Sequence, residues 1–320
     1  MKQEYINSGN KDTRSGFGAG LYEAALNNPE IIALCADLAG SLKMDKFAET
    51  WPERFIQCGI AEANMIGVAA GAALTGKIPF AGSFAEFITG RVYDQIRQEV
   101  AYGNTNVKIA ASHAGITLGE DGATHQTMED IALMRVLPNM VVINPCDYNQ
   151  TKAATIAAAA YHGPVYLRFG RPSVPNFTPE NQTFEIGKAL MLNEGSDVTI
   201  FATGHLVWEA LQAAKGLEAE GISAEVIDIH TIKPLDTEAV ITSVAKTGAA
   251  VCAEEHLIAG GLGELIAGTL ARHTPAPLEL VAVDDRFGQS GSPAELMKAY
   301  GLDAAHIVEA ARKAISRKNR

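Results

Sequence analysis

The sequence predicts an α/β protein of two domains, each a mainly parallel sheet flanked by helices. Three observations carry that expectation. Short runs rich in β-branched and aliphatic residues alternate with longer Ala-rich stretches of helical period, the pattern of strands joined by crossover helices. The 320 residues exceed what one hydrophobic core usually organises. Midway, residues 171–187 (RPSVPNFTPENQTFEIG) hold three prolines and neither period, as a linker does. The expected division is a first domain over 1–175, a linker over 176–190 and a second domain over 191–320.

In the first half, IIALCAD (31–37), RFIQCG (54–59), VKIAAS (107–112), MVVINP (140–145) and PVYLRFG (164–170) read as strands. Helices are expected between them at 14–27, 61–75, 86–102, 127–136 and 148–161. The second half restarts the pattern with strands DVTIFATG (197–204), AEVIDIHT (224–231), GAAVCAEE (248–255) and LELVAV (278–283), separated by helices at 206–220, 236–246, 260–272 and 303–317. The basic tail ARKAISRKNR puts cations in and beyond the last helical turn, where the helix dipole favours them.

Composition narrows the class of partner. Hydrophobic residues make up 47% and charged ones 20%, a balance that excludes a disordered or fibrous chain. The 26 Lys plus Arg against 37 Asp plus Glu give a net charge of -11, and no basic block offers a footprint for nucleic acid or an anionic membrane. A small-molecule partner is favoured. The polar start MKQEYINSGNKDTRSGFG lacks the apolar core of a secretory signal, and no stretch approaches eighteen uninterrupted apolar residues, so a cytoplasmic location is expected. Cys35, Cys58, Cys146 and Cys252 have no C-x-x-C spacing and read as buried thiols.

In open parallel sheets ligands collect beyond the carboxyl ends of strands, so the polar residues after each expected strand are the candidates. Glu62 is the sole ionised residue at the front of GIAEANMIGVAAGAAL, a helix expected to be buried on most faces. Either it complements the helix dipole from an exposed first turn, or it is buried, needs a partner and is a candidate acid or base. In SHAGITLGEDGATHQ, His113, Glu120, Asp121 and His125 crowd a Gly-rich loop before a helix expected near Thr127. Metal binding and hydroxyl recognition with proton transfer are the rival readings, and the gap between the histidines is not a typical ligand spacing. Arg14, Ser41, Arg168 and Arg171 are isolated cations and hydroxyls whose forks and oxygens suit an anion only if they converge. The sequence has no P-loop or nucleophile elbow, and Gly16, Gly18 and Gly20 precede the first strand, which excludes a dinucleotide fingerprint.

The succession of Glu62, GSFAEFITGRVYDQIR and SHAGITLGEDGATHQTMEDIALMR resembles transketolase, a thiamine-diphosphate enzyme that moves two-carbon ketol units between sugar phosphates. LGEDGATHQ departs from the family's usual LGEDGPTHQ only at Ala123, and the likeness runs over essentially the whole chain as a pyrimidine-binding domain followed by a C-terminal domain. The family's first half, with its motif for Mg²⁺ and diphosphate, has no counterpart here. The resemblance therefore implies the C-terminal subunit of a split transketolase, inactive alone, with thiamine diphosphate and Mg²⁺ held at the interface with an N-terminal subunit, in an α2β2 heterotetramer. The alternatives are a β chain of a deoxyxylulose-phosphate synthase-like or 2-oxo acid dehydrogenase-like enzyme, or a noncatalytic scaffold.

By that resemblance Glu62 is the catalytic carboxyl that hydrogen-bonds the cofactor's aminopyrimidine. Phe84 and Phe87 wall the pyrimidine pocket, and Asp37 lines the cofactor site. The family's third wall aromatic falls on Gly90, with Tyr93 one turn away. His125 is catalytic, near the reacting C1 oxygen of the substrate. His113 reaches the substrate phosphate and Asp121 a sugar hydroxyl. Arg14, Ser41 and Arg171 match phosphate positions, with Arg168 as the fallback for Arg171. An anionic sugar, phosphate or sulfonate, is the implied substrate, and no protein metal ligand is implied in this chain.

Overall fold

IIALC and KIAAS form strands buried along their whole length, as expected of a parallel sheet covered on both faces. In the computed structural model, which describes residues 5–318, they belong to a seven-stranded sheet. Its order is Thr231–Lys233, Val141–Ile143, Val165–Arg168, Lys108–Ser112, Ile78–Phe84, Ile31–Cys35, Phe55–Gln57. Every neighbouring pair is parallel except the first. A five-stranded sheet follows, ordered Leu278–Val283, Ala250–Leu257, Val198–Ala202, Ala224–Asp228, Leu190–Asn193, with only the last strand antiparallel. The Asn319 and Arg320 end of the basic tail lies outside the described residues.

Several boundaries differ from the sequence expectation, each for a local reason. Ile78–Phe84 is a central strand not among those expected; a Cβ on Gly82 would collide with Leu42 and Met44, so the glycine serves close packing rather than a bend. The expected strand 224–231 divides at Asp228, and Thr231–Lys233 crosses to the edge of the larger sheet, stitching the two halves together. The single helix expected over 86–102 is three pieces, Ala85–Thr89, Tyr93–Gln95 and a π-helical turn Ile96–Tyr102. Within the proline-rich stretch 171–187, just before the expected linker, Ser173–Pro175 pairs antiparallel with Asn10–Asp12. Helix Pro293–Ala299 carries a Ser292–Glu295 capping box but is too short to show a period.

The glycines before strand Ile31–Cys35 have a packing role. Helix Thr13–Asn27 lies against helix Tyr148–Ala160, and Cβ atoms on Gly16 and Gly20 would run into the Tyr148 and Lys152 carbonyls. Lys108, fully buried, donates to Asn106 Oδ1 and to the carbonyls of Tyr161 and Gly163, each at 2.7 Å, and burial pushes its ammonium down to about 7. Cys35, Cys146 and Cys252 are buried free thiols and Cys58 is half-buried. Among the described residues no helix is long and apolar enough to cross a membrane.

Candidate functional site

Five strands of the larger sheet end on the same edge, and the candidate residues leave from those ends. Phe55–Gln57 leads to Glu62, Ile31–Cys35 to Asp37 and Ser41, Ile78–Phe84 to Phe87, Lys108–Ser112 to His113, and Val165–Arg168 to Arg171. The parallel register sets Phe84 opposite Ser112, so the Phe84 ring and the imidazole of His113 stack with centroids 3.8 Å apart. The next helix begins at Ala85 and turns Phe87 onto the same side, stacked on Phe84 at 5.7 Å. His125 meets Phe87 edge-to-face at 5.3 Å.

Glu62 opens helix Glu62–Leu74 and is 3% exposed. Its partner is Arg91, whose Nη1 lies 3.2 Å from both carboxylate oxygens while the guanidinium spreads over the Phe87 ring at 4.3 Å. Arg91 is itself half-exposed, so one side of this buried carboxyl is closed from solvent by a single long side chain. The helix it fronts is not buried on most faces, as the sequence suggested: Ala63, Asn64, Val68, Gly71 and Leu74 lie on the surface, and Ile60 just before it is 77% exposed.

The cations form a second corner. Arg14 Nη1 donates to the Ser41 carbonyl at 3.1 Å, and its Nε is 3.4 Å from Asp12, so Ser41 contributes its backbone oxygen to this arginine. Arg171 Nη1 donates to Leu118 O at 2.7 Å and Glu120 Oε2 at 2.6 Å. Burial, followed by the charges of Arg14 and Arg171, holds the His113 imidazole neutral, down to about 3. Its Nδ1 lies 2.7 Å from Ser112 Oγ, and its φ of 59° is a left-handed conformation uncommon outside glycine. The two arginines thus converge on one imidazole, which sequence spacing could not show.

Arg168 stands elsewhere. It is buried, with Nε 2.7 Å from Asp130 Oδ2 and Nη2 donating to the Glu255 carbonyl, and Tyr166 completes the set by donating to Asp130 at 2.6 Å. Those bonds occupy its fork, so the fallback to Arg168 is corrected in favour of Arg171, which faces Arg14. Asp37 is exposed with φ 59°, one strand from Phe84, and its N–H donates to Gln57. Asp121 is exposed on the Gly-rich loop; the following helix starts at Asp130 rather than near Thr127. Among the described residues no group of three His, Cys, Asp or Glu could hold a metal ion.

Two members of the site escape sequence reasoning. Arg91 stands four residues after Phe87, a helical cation–π spacing that is the one signal able to point to it. Gln126 stands out in the sequence only as part of the loop motif; it is buried and donates to Ile116 O, Gly119 O and Gln289 O. Tyr93, a candidate wall aromatic by position, packs into the core instead, and Gly90 is exposed. The arrangement is a buried carboxyl beside stacked aromatic faces, suited to a flat nitrogenous ring, next to a two-arginine corner suited to an anion.

Residues 10–176 match the family described as transketolase, pyrimidine binding domain, and residues 187–307 match transketolase, C-terminal domain. The 6-deoxy-6-sulfo-D-fructose transketolase subunit SqwH of Clostridium sp. is 47% identical over 93% of this chain and 93% of its own length. An apulose-4-phosphate transketolase subunit of Phocaeicola vulgatus is 38% identical over 93% of this chain and 96% of its own. A solved split-gene transketolase, described as an inactive β4 tetramer, is 48% identical and superposes with a TM-score of 0.91, covering 96% of this chain and 99% of that one.

Proposed function

The chain belongs to the transketolase family, and we propose that it is the C-terminal subunit of a split transketolase that transfers a two-carbon ketol unit between anionic sugars. Phosphate and sulfonate both suit the pair Arg14 and Arg171, and the two relatives are named for a sulfosugar and a sugar phosphate. The observation that carries the reading is Glu62: a buried carboxyl whose partner is a half-exposed guanidinium lying on an aromatic wall.

Membership of the family implies dependence on thiamine diphosphate, and the residues present fit its aminopyrimidine. A planar, N–H-bearing ring can take the contacts Arg91 now makes, hydrogen-bonding Glu62 and lying on Phe87, with Phe84 behind. When bound, the cofactor supplies the nucleophilic carbon that accepts the ketol unit. Glu62 holds the ring by a hydrogen bond and Phe84 and Phe87 by stacking, with Asp37 lining the neighbouring strand end. His125, edge-on to Phe87, holds a proton near the reacting C1 oxygen, contributing roughly 10²-fold or more as positioned acid–base groups do. Asp121 takes a sugar hydroxyl. Arg14 and Arg171 meet the anion's charge, while His113, kept neutral, offers it a hydrogen bond rather than a charge.

Diphosphate and Mg²⁺ are assigned to an N-terminal partner, because the family's motif for them lies in the half of the enzyme outside the pyrimidine-binding and C-terminal domains matched here. The exposed apolar side chains Ile60, Val68 and Leu74, on and just before the helix that Glu62 opens, support burial of this surface against another chain, in an α2β2 heterotetramer that includes self-association of this subunit. We assign residues 1–175 to the pyrimidine-binding domain, 176–190 to a linker and 191–320 to the C-terminal domain, and the location to the cytoplasm. The test is reconstitution. This chain alone should show no ketol transfer, and addition of an N-terminal transketolase subunit with Mg²⁺ and thiamine diphosphate should restore it. Full activity of the isolated chain, or none after reconstitution with a range of anionic ketoses, would refute the reading.

A further inference from the structure

The strands of the smaller sheet supply none of the candidate catalytic groups, yet the smaller sheet and its loops grip the Gly-rich loop at several points. Glu255, at the buried end of strand Ala250–Leu257, accepts from Thr117 N at 2.6 Å, and a Cβ on Gly115 would collide with its carboxylate. His205 Nδ1 lies 3.5 Å behind the carboxylate, while the Glu255 carbonyl accepts from Arg168 Nη2 at 2.9 Å. Further along, Gln126 Nε2 donates to Ile116 O at 2.9 Å, to Gly119 O at 3.3 Å and to Gln289 O at 3.0 Å, so one amide ties both ends of the loop to residues 284–292 of the second half. Gln126 Oε1 is buried without a partner and faces Gly288, where any Cβ would strike it. Ser290 Oγ packs against Gly122, which has φ 77° and no side chain to push it away.

The loop so held is the one that aims the anion corner. Leu118 O and Glu120 Oε2 fix the Arg171 guanidinium, and Asp121 and His125 stand on the same segment. Displacement of Gly119 or Leu118 would turn Arg171 away from Arg14 without touching Glu62, Phe84 or Phe87.

We propose that the second domain, through Glu255 and the 284–292 loop, positions the 115–126 loop for recognition of the substrate's anionic end, with Gln126 as the positioning residue. This deepens the transketolase reading and rests on it for the identity of the substrate. The second domain therefore tunes selection of anionic over neutral ketoses, while Glu62 and Phe84 stand on elements outside the held loop.

The test uses the reconstituted complex carrying Gln126→Met, which keeps the volume and loses the amide, or Gly288→Ala, which crowds it. With a phosphorylated ketose as donor, KM should rise on the order of tenfold while kcat changes by less than about threefold, the signature of lost ground-state positioning. The unphosphorylated ketose should lose several-fold less efficiency than the phosphorylated one, and thiamine diphosphate affinity should not move. Amide exchange on the chain itself should quicken over residues 115–126 and stay unchanged over 62–74. Unaltered KM and exchange would overturn the proposal, as would an equal loss of kcat for both ketoses. If the wild-type complex is inactive, the transketolase reading fails, and the exchange data alone decide whether the second domain holds the loop.

Discussion

Two buried carboxylates in the larger domain each face an arginine, and the contrast between them separates structure from function. Asp130 is fully buried and its partner Arg168 is 4% exposed. Burial alone would raise the Asp130 carboxyl, but Arg168 first and then the Tyr166 hydrogen bond hold it below the usual range. Every direction around that pair is protein, so nothing can exchange with it. Glu62 is almost as buried, yet Arg91 is 51% exposed and lies across an aromatic face instead of within a network. A sealed pair fixes the relation of strands to helices and of one domain to the other. A pair closed by one long side chain is a site whose occupant can change.

The sharpest way to break that contrast is to delete the sealed pair. Asp130→Ala or Arg168→Met leaves an unpartnered buried charge, and urea unfolding should show a loss of about 3–5 kcal/mol or failure to fold. Arg171→Met, by comparison, should leave the unfolding midpoint where it is, because its carboxylate partner Glu120 is exposed. Equal destabilisation by Arg168→Met and Arg171→Met would erase the distinction.

A smaller effect extends the comparison to a buried acid that has no arginine. Asp228, the last residue of strand Ala224–Asp228 in the smaller sheet, accepts from Gln150 at 2.6 Å, and burial pushes its carboxyl up to about 7. A folded value above the unfolded one means that its contribution to stability is complete below the unfolded pKa and is lost as pH rises through about 7. The histidines contribute with the opposite sign, since His113, His230 and His256 are held neutral by burial and lose stability as pH falls below their unfolded value. They are common to wild type and Asp228→Asn, so the difference between the two proteins isolates the acid. Between pH 5 and pH 7 that difference should move in the variant's favour by on the order of 2 kcal/mol. A difference that is flat with pH would show that Asp228 is ionised in the folded chain.

The same physics explains which parts were legible in the sequence. Strands such as Ile31–Cys35 and Lys108–Ser112 announce themselves because both faces are buried and only β-rich apolar runs satisfy that. Ile78–Phe84 did not, since Pro79, Gly82 and Ser83 interrupt the β-rich apolar run, and the use of Gly82 shows only once Leu42 and Met44 are seen packed where its Cβ would be. In the site, the carboxyl, the phenylalanines and the histidines stand out by type and motif. Arg91 does not, because an arginine on a helix is ordinary until its fork is seen on Glu62. Gln126 and Glu255 are silent for another reason: their partners lie 163 and 138 residues away, a relation that only the folded chain creates.

The role of the Glu62 carboxyl is read from the ketol-transfer rate of the complex reconstituted with Glu62→Gln, beside a titration of its thiamine diphosphate binding and its thermal unfolding. The variant complex should fold and still take up the cofactor but turn over at least about 10²-fold more slowly than wild type. A Glu62→Gln complex with the wild-type rate would contradict that role.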